Sequence, residues 1–213
     1  MKRSTIAARE QFSGSAHGIP DLIKQDITLP CETALTEAAP GSLVAFRTME
    51  PVSGSTVHFW IDDYRFEPLW TRPHLWTQRF LGTGVQLVQP DFSMLEGAPY
   101  ALNLWQLYRS RWLARHWQES GLQVIPSLAW CSQTLAMVGE GIPRGSVVAI
   151  EARPIGKPEA VLRRGLIRAL ERVQPSALLL YGAEQRLTEW CKDRVQTVSL
   201  PAWSPRRRIK AAR

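Results

Sequence analysis

The sequence predicts an α/β domain: a layer of mainly parallel strands with helices packed against it. Three observations carry this. Apolar runs of strand length recur at 84–89, 122–127, 146–151 and 177–181. Stretches of helical period separate them, as βαβ units require. Each strand-like run then ends in a polar or aromatic cluster: HFWIDDYRFE at 58–67, VQLVQPDFS at 85–93, LQVIPSLAWCS at 122–132, VVAIEARP at 147–154 and LLLYGAE at 178–184. Ligands of parallel α/β sheets sit beyond the carboxyl ends of the strands, so these clusters mark the candidate site.

The elements follow in order. Residues 1 to about 40 mix Ser, Gly, Pro and charges without sustained period, with SGSAHGIP (13–20) as loop, and form an arm that lies over the domain or moves. SLVAFR (42–47) is the first strand and TVHFWI (56–61) the second. Their connection is too short for a crossover helix, so an antiparallel pair at the sheet margin is expected. A helix at about 66–80, a strand at 84–89, a long helix at about 97–119 and a strand at 122–127 come next. A short helix near 132–139, a strand at 146–151, a helix starting at Pro158, a strand at 177–181, a helix at 184–193 and a strand at 195–199 complete the set. Pro158 suits a first helical turn, where its missing N–H is no loss. Gly121 and Gly145 fall where the chain must turn into the next strand. Right-handed crossovers make this an open doubly wound sheet or a partial β/α barrel, with too few repeats for a complete eight-fold one. The organisation is thus an arm at 1–40, one α/β domain at 41–200 and a basic, disordered tail at 201–213.

The chain has 213 residues, 45% of them hydrophobic, enough for one sizeable core. The formal charge of +7 owes five positive charges to Arg206, Arg207, Arg208, Lys210 and Arg213, so the folded body is only mildly basic. Cys31, Cys131 and Cys191 are far apart and in no C-x-x-C pair, which argues against a disulfide framework and a zinc knuckle. MKRSTIAAREQF lacks the apolar core of a signal peptide, and no stretch is apolar for long enough to cross a bilayer, so a soluble cytoplasmic protein is expected.

Several segments in one order carry a resemblance: HFWIDDYRFEPLW (58–70), PDFS (90–93), YRSRWLARHWQ (108–118), GLQVIPSLAW (121–130), GIPRGSVVAI (141–150) and LYG (180–182). Over roughly residues 42–200 the chain resembles the uncharacterised family called domain of unknown function 4417. The resemblance implies a bacterial protein often carried on phages, plasmids or integrated elements, and no established activity.

Two constellations could carry chemistry. Asp62, Asp63, Asp91 and Glu151 all fall at strand ends and could converge on one rim as catalytic carboxylates. Of these, Asp62, Asp91 and Glu151 are the candidate ligands for Mg²⁺ or Mn²⁺, which activate water and neutralise a transferring phosphoryl group. The structural alternative is ordinary: Ser93 with Glu96 matches a capping box, and Asp62 or Asp63 can pair with Arg65 or Arg72. On the 97–119 helix, Trp105, Tyr108, Arg109, Trp112 and His116 share one side, with Arg111 and Arg115 beside Tyr108. Aromatic rings interleaved with Arg suit stacking on unpaired bases and neutralising phosphates. The alternative is that Trp105 and Trp112 fill the core under Arg stems.

Other signals are weaker. Trp60, Trp70 and Trp130 lie at strand-end clusters and could wall a planar or sugar-like ligand, or fill core. Tyr181 and Gly182 end a strand where ligand contacts are common. A Cys131 nucleophile with His58, His74 or His116 has no supporting motif, and a buried inert thiol is the simpler reading. The four His show no metal-ligand spacing. GTG at 82–84 and GEGIPRG at 139–145 precede strands instead of following them, which argues against dinucleotide and P-loop sites. The tail charges Arg206, Arg207, Arg208 and Lys210 could add salt-sensitive affinity for DNA or RNA. The function classes are therefore a nucleic-acid-associated binding protein, a metal-dependent, phosphodiesterase-like hydrolase, and a protein-interaction module, with no membrane partner.

Overall fold

The computed structural model describes residues 11–31, 39–48, 50–153 and 159–202. Seven strands run in chain order: β1 (Leu43–Ala45), β2 (Thr56–His58), β3 (Gln86–Val88), β4 (Val124–Ile125), β5 (Val147–Glu151), β6 (Ala177–Tyr181) and β7 (Thr197–Leu200). Between them lie α1 (Asp63–Thr71), α2 (Pro73–Leu81), α3 (Tyr100–Glu119), a 3₁₀ helix (Ser132–Met137), α4 (Glu159–Val173) and α5 (Gln185–Lys192). The predicted α/β domain with a parallel sheet and flanking helices is what forms. Strands β1 to β4 make one parallel sheet and β5 to β7 another, joined by a parallel bridge between Ser127 and Ala149. Each strand neighbours the next in sequence with no reversal, the order of a partial barrel and not of a doubly wound sheet; β1 and β7 are not paired.

Alternation along the strands makes two cores. One set, including Val44, Val57, Leu87, Val124, Val148, Ile150, Leu178 and Leu180, faces the helices and packs on Phe66, Leu113, Trp117 and Leu166. The other, Leu43, Val88, Ile125, Ala149, Leu179, Tyr181 and Leu200, gathers residues of both sheets around one interior. That interior is sealed below by the arm. Ile27 and Leu29 pack against it, and the Gln86 side-chain amide donates to the Thr28 carbonyl at 3.0 Å. Gln25 bridges to β4, its Nε2 donating to the Leu122 carbonyl and its Oε1 accepting from the Val124 N–H at 3.0 Å. The arm thus covers the amino ends of β3 and β4, while a pocket opens at the carboxyl ends of the strands.

Three expectations change. β1 and β2 pair parallel, in register from Leu43 opposite Thr56 to Ala45 opposite His58. Both strands stop after three residues, and among the described residues of the connection, 46–48 and 50–55, turns stand where a helix would otherwise cross over. The helix expected at 66–80 is two helices broken at Arg72 (φ −136°, ψ 58°). Pro73 excludes α geometry from the residue before it and then starts α2. Helix α3 starts at Tyr100, too far from Ser93 for a capping box; Ser93 and Glu96 bind elsewhere, as described next. The helix expected from Pro158 is described from Glu159, and Pro158 lies outside the described residues. Cys31 is exposed, Cys131 and Cys191 are buried, and none of the three forms a disulfide.

Candidate functional site

A pocket of about 540 Å³ opens at the carboxyl ends of the strands. Asp62 comes from the β2–α1 turn, Arg65 from the first turn of α1, Asp91 and Glu96 from the loop after β3, Glu151 and Arg153 from the end of β5, and Tyr181 from the end of β6. Asp62, Asp91 and Glu151, read from three separate strand ends, therefore line one pocket. Asp63 does not line it. Its carboxylate accepts from the Ser93 N–H at 3.0 Å and the Ser93 hydroxyl at 2.9 Å, tying the β3 loop to the start of α1. Glu96 accepts from the Ser132 N–H at 2.8 Å and its hydroxyl at 3.2 Å. Asn103 holds the same loop from α3, trading hydrogen bonds with the N–H and carbonyl of Leu95. The loop that carries Asp91 is thus pinned at three points.

The floor is aromatic. Trp60 stacks on Tyr181 with ring centroids 4.8 Å apart, and His58 lies 5.0 Å from Trp60 and 4.7 Å from Tyr181. The Trp60 N–H donates to His58 Nδ1 at 3.2 Å, which leaves the ring proton on Nε2. Burial, and then the positive charge of Arg153, push the His58 pKa down to about 3, so the ring stays neutral. The indole Nε1 of Trp60 is buried with no hydrogen-bond partner among the described residues. On the wall, Arg153 pairs with Glu151 and donates to the Trp60 carbonyl at 3.3 Å. The Asp62 carboxylate caps no helix N–H, and neither Asp62 nor Asp63 pairs with Arg65 or Arg72. Among the described residues, Arg65 and Asp62 face the pocket without a hydrogen-bonded side-chain partner.

Among the described residues no three His, Cys, Asp or Glu side chains come close enough together to hold a metal ion. Asp62, Asp91 and Glu151 share a pocket, then, but not a coordination sphere.

The α3 constellation lies in the core. Arg109 makes a two-pronged pair with Glu67 at 2.9 and 2.8 Å, its Nε donates to Gln106 at 2.6 Å, and its guanidinium lies 3.7 Å from the Phe92 ring centre. Arg111 is fully buried, donating to Gln89 and to the carbonyls of Glu140 and Ser127. Desolvation pushes its pKa down to about 9, against the opposing charges of Asp91 and Glu140. Arg115 pairs with Glu119 and donates to the Asp21 carbonyl at 2.6 Å. Trp112 is buried, while Trp105 and Tyr108 are half-buried and stack at 5.6 Å against the edge of Trp70. Trp70 and Trp130 are buried too, so of the three strand-end tryptophans Trp60 alone reaches the pocket. The Cys131 thiol is buried beside the Thr134 hydroxyl at 3.5 Å. Arg206, Arg207, Arg208 and Lys210 lie outside the described residues.

Sequence reasoning passed over Arg65 and Arg153 as pocket components, and His58 as the buried ring packed beneath Trp60 and Tyr181. Two were legible. Arg65 belongs to the same cluster as Asp62, and Arg153 lies two residues after Glu151, on the same side of an extended chain. His58 on the floor depends on which way the short β2 strand faces.

Fold and site define a parallel α/β protein with an open, mixed-charge pocket at its strand ends. The chain belongs to the family described as "Domain of unknown function (DUF4417)", whose model matches residues 13–197. It is 37% identical over 174 residues to the "Gene 1 protein" of Mycobacterium phage D29 and, at the same identity and length, to that of Mycobacterium phage L5. The match covers 80% of this chain, 62% of the D29 protein and 73% of the L5 protein. No solved structure matches the chain. Among the described residues no helix is long and apolar enough to cross a membrane.

Proposed function

We propose that this phage-type protein works through the strand-end pocket, binding a small phosphoester and hydrolysing it by general-base catalysis: as Asp62 takes its proton, a water oxygen bonds to phosphorus and the P–O bond to the leaving alkoxide or phenolate breaks. The observation that carries the reading is the meeting in one cavity of Asp62, Asp91 and Glu151 with Arg65, which pairs with no carboxylate among the described residues. Arg65 stands in the first turn of α1, where its guanidinium and the positive end of the helix favour the same anionic oxygens. Asp62, exposed and not hydrogen-bonded by its side chain, is the carboxylate available to take a proton from water. Arg153 neutralises Glu151 and keeps the aromatic floor in place.

The test is hydrolysis of bis(p-nitrophenyl) phosphate by the full chain, with and without added Mg²⁺ or Mn²⁺, beside Asp62→Asn and Arg65→Gln. Asp62→Asn is expected to lower kcat by roughly 10²-fold or more at near-constant KM, and Arg65→Gln to raise KM. Both residues are peripheral to the core, so melting temperatures should stay within about 2 °C of the parent. Absence of turnover, or turnover that both variants retain, would remove the reading. Association with nucleic acid through the basic tail and docking of a protein partner are the alternatives such a result would favour.

A further inference from the structure

A second cavity, about 630 Å³, lies on the opposite side of the β1–β2 layer from the interior, between edge strand β1 and helix α2. Its walls are Phe46, Trp76 and Phe80, and its charged groups are Arg47, Arg79 and Glu50. Trp76 is half-buried, edge-on to Phe46 at 5.2 Å and tilted against Phe80 at 6.1 Å, which fixes the indole. Two guanidinium groups converge on that ring, Arg47 at 5.0 Å and Arg79 at 4.7 Å from its centroid. Here the contrast with α3 is sharp. Arg109 and Arg115 spend their donors on Glu67 and Glu119, whereas Arg47 and Arg79, both exposed, make no hydrogen bond or ion pair with any described residue.

The backbone holds one of these arginines in an unusual way. Arg47 has φ +59°, in the left-handed region that a side chain with a Cβ normally avoids. The turn is closed by Thr48 N–H donating to the Ala45 carbonyl at 3.1 Å, and it swings Arg47 over the indole. A glycine would adopt this turn without strain, so the arginine here occupies it at a backbone cost.

We propose that this groove binds a nucleoside phosphate, free or as an unpaired unit of a nucleic-acid strand. Two guanidinium groups against one Glu50 carboxylate give a net positive mouth, and their free N–H forks match phosphate oxygens. The Phe46–Trp76 wall supplies apolar, aromatic surface for a base. The volume lies within the range of ordinary ligand pockets. This site is separate from the strand-end pocket and shares no lining residue with it.

The experiment uses full chains that all carry the tail, so its contribution cancels in the comparison. Binding of UMP is measured by calorimetry, and binding of a short fluorescein-labelled oligodeoxythymidylate by anisotropy across a salt series. The variants are Arg47→Gly with Arg79→Gln, and Trp76→Phe alone. Arg47→Gly suits the left-handed turn and Arg79 is exposed, so the double variant is expected to fold as the parent does. It should weaken binding about tenfold or more and flatten the salt slope for the oligonucleotide by about 1.4, two phosphates' worth. Trp76→Phe should weaken binding while leaving that slope unchanged. Binding of the oligonucleotide but not UMP would support the site and name its ligand as a strand; binding of both would name the nucleotide. No binding of either probe, unchanged affinity and slope in the double variant, or equal competition by inorganic phosphate would overturn the proposal.

Discussion

Replacing Gly165 by Ala should destabilise this protein, although inside a helix the change ordinarily stabilises by about 1 kcal/mol. Gly165 lies in α4 against Trp130, which is fully buried. A Cβ at 165 would stand 1.9 Å from Trp130 Cε2 and 2.3 Å from both Cζ2 and Nε1. Those are ring atoms, and the ring has no free direction to move because its Nε1 donates to the Val161 carbonyl at 3.0 Å, one turn earlier on the same helix. Overpacking of this kind costs about 1–3 kcal/mol, and orphaning the buried indole N–H about as much again. After subtracting the helix gain, a net loss of about 3 kcal/mol is expected, which for a chain of this length is a fall in Tm of about 6–12 °C. Thermal unfolding followed by circular dichroism measures it. Trp130→Phe in the Gly165→Ala background should recover part of the loss, because the smaller ring withdraws the clashing edge, and the double-mutant cycle should show strong coupling. A Gly165→Ala protein as stable as the parent would refute the packing argument and reopen Trp130 as a mobile, ligand-facing residue.

Two further outcomes bear on the site. Unfolded, His58 titrates near 6.5, whereas folded it is held down to about 3. Between those values the unfolded chain binds a proton that the folded chain refuses, so the His58 contribution is fully present above pH 6.5 and is lost as pH falls towards 3. The slope is about 1.4 kcal/mol per pH unit within that window, and denaturant titrations at several pH values should show it flattened in His58→Asn. Arg109→Ala should lower stability by about 1–3 kcal/mol, since it strands Glu67 and uncovers Phe92, yet leave oligonucleotide affinity unchanged. The same anisotropy titration that reads the Arg47 and Arg79 variants checks this.

The order of elements was legible because period and punctuation are local properties. β5 and β6 are runs whose alternate residues serve the interior and the helix layer, and they appear within a residue of where the sequence puts them. The pocket was legible for a similar reason. In a parallel sheet every carboxyl end faces the same way, so acids at the ends of β2, β3 and β5 had to meet once the strands were parallel. The pairing of β1 with β2 was not legible, since it turned on how few residues a helix-free crossover needs. Nor was the fate of the α3 arginines. Trp105, Tyr108 and Arg109 have the same spacing whether they face solvent or core, and the decision came from Glu67 on α1 and Phe92 on the β3 loop, both distant in sequence.

By itself, then, the sequence determined a parallel α/β chain, the positions of its strand ends and which acids stand there, because these follow from side-chain periodicity and backbone chemistry along a few consecutive residues. Tertiary structure alone decided which charges are spent and which are left over. Arg109, Arg111 and Arg115 are satisfied by groups brought in from elsewhere in the chain or by a helical neighbour, while Arg65, Arg47 and Arg79 meet no such partner among the described residues. A guanidinium's partner is set by what lies within a few ångströms of it in space, and neighbours along the chain carry little of that information.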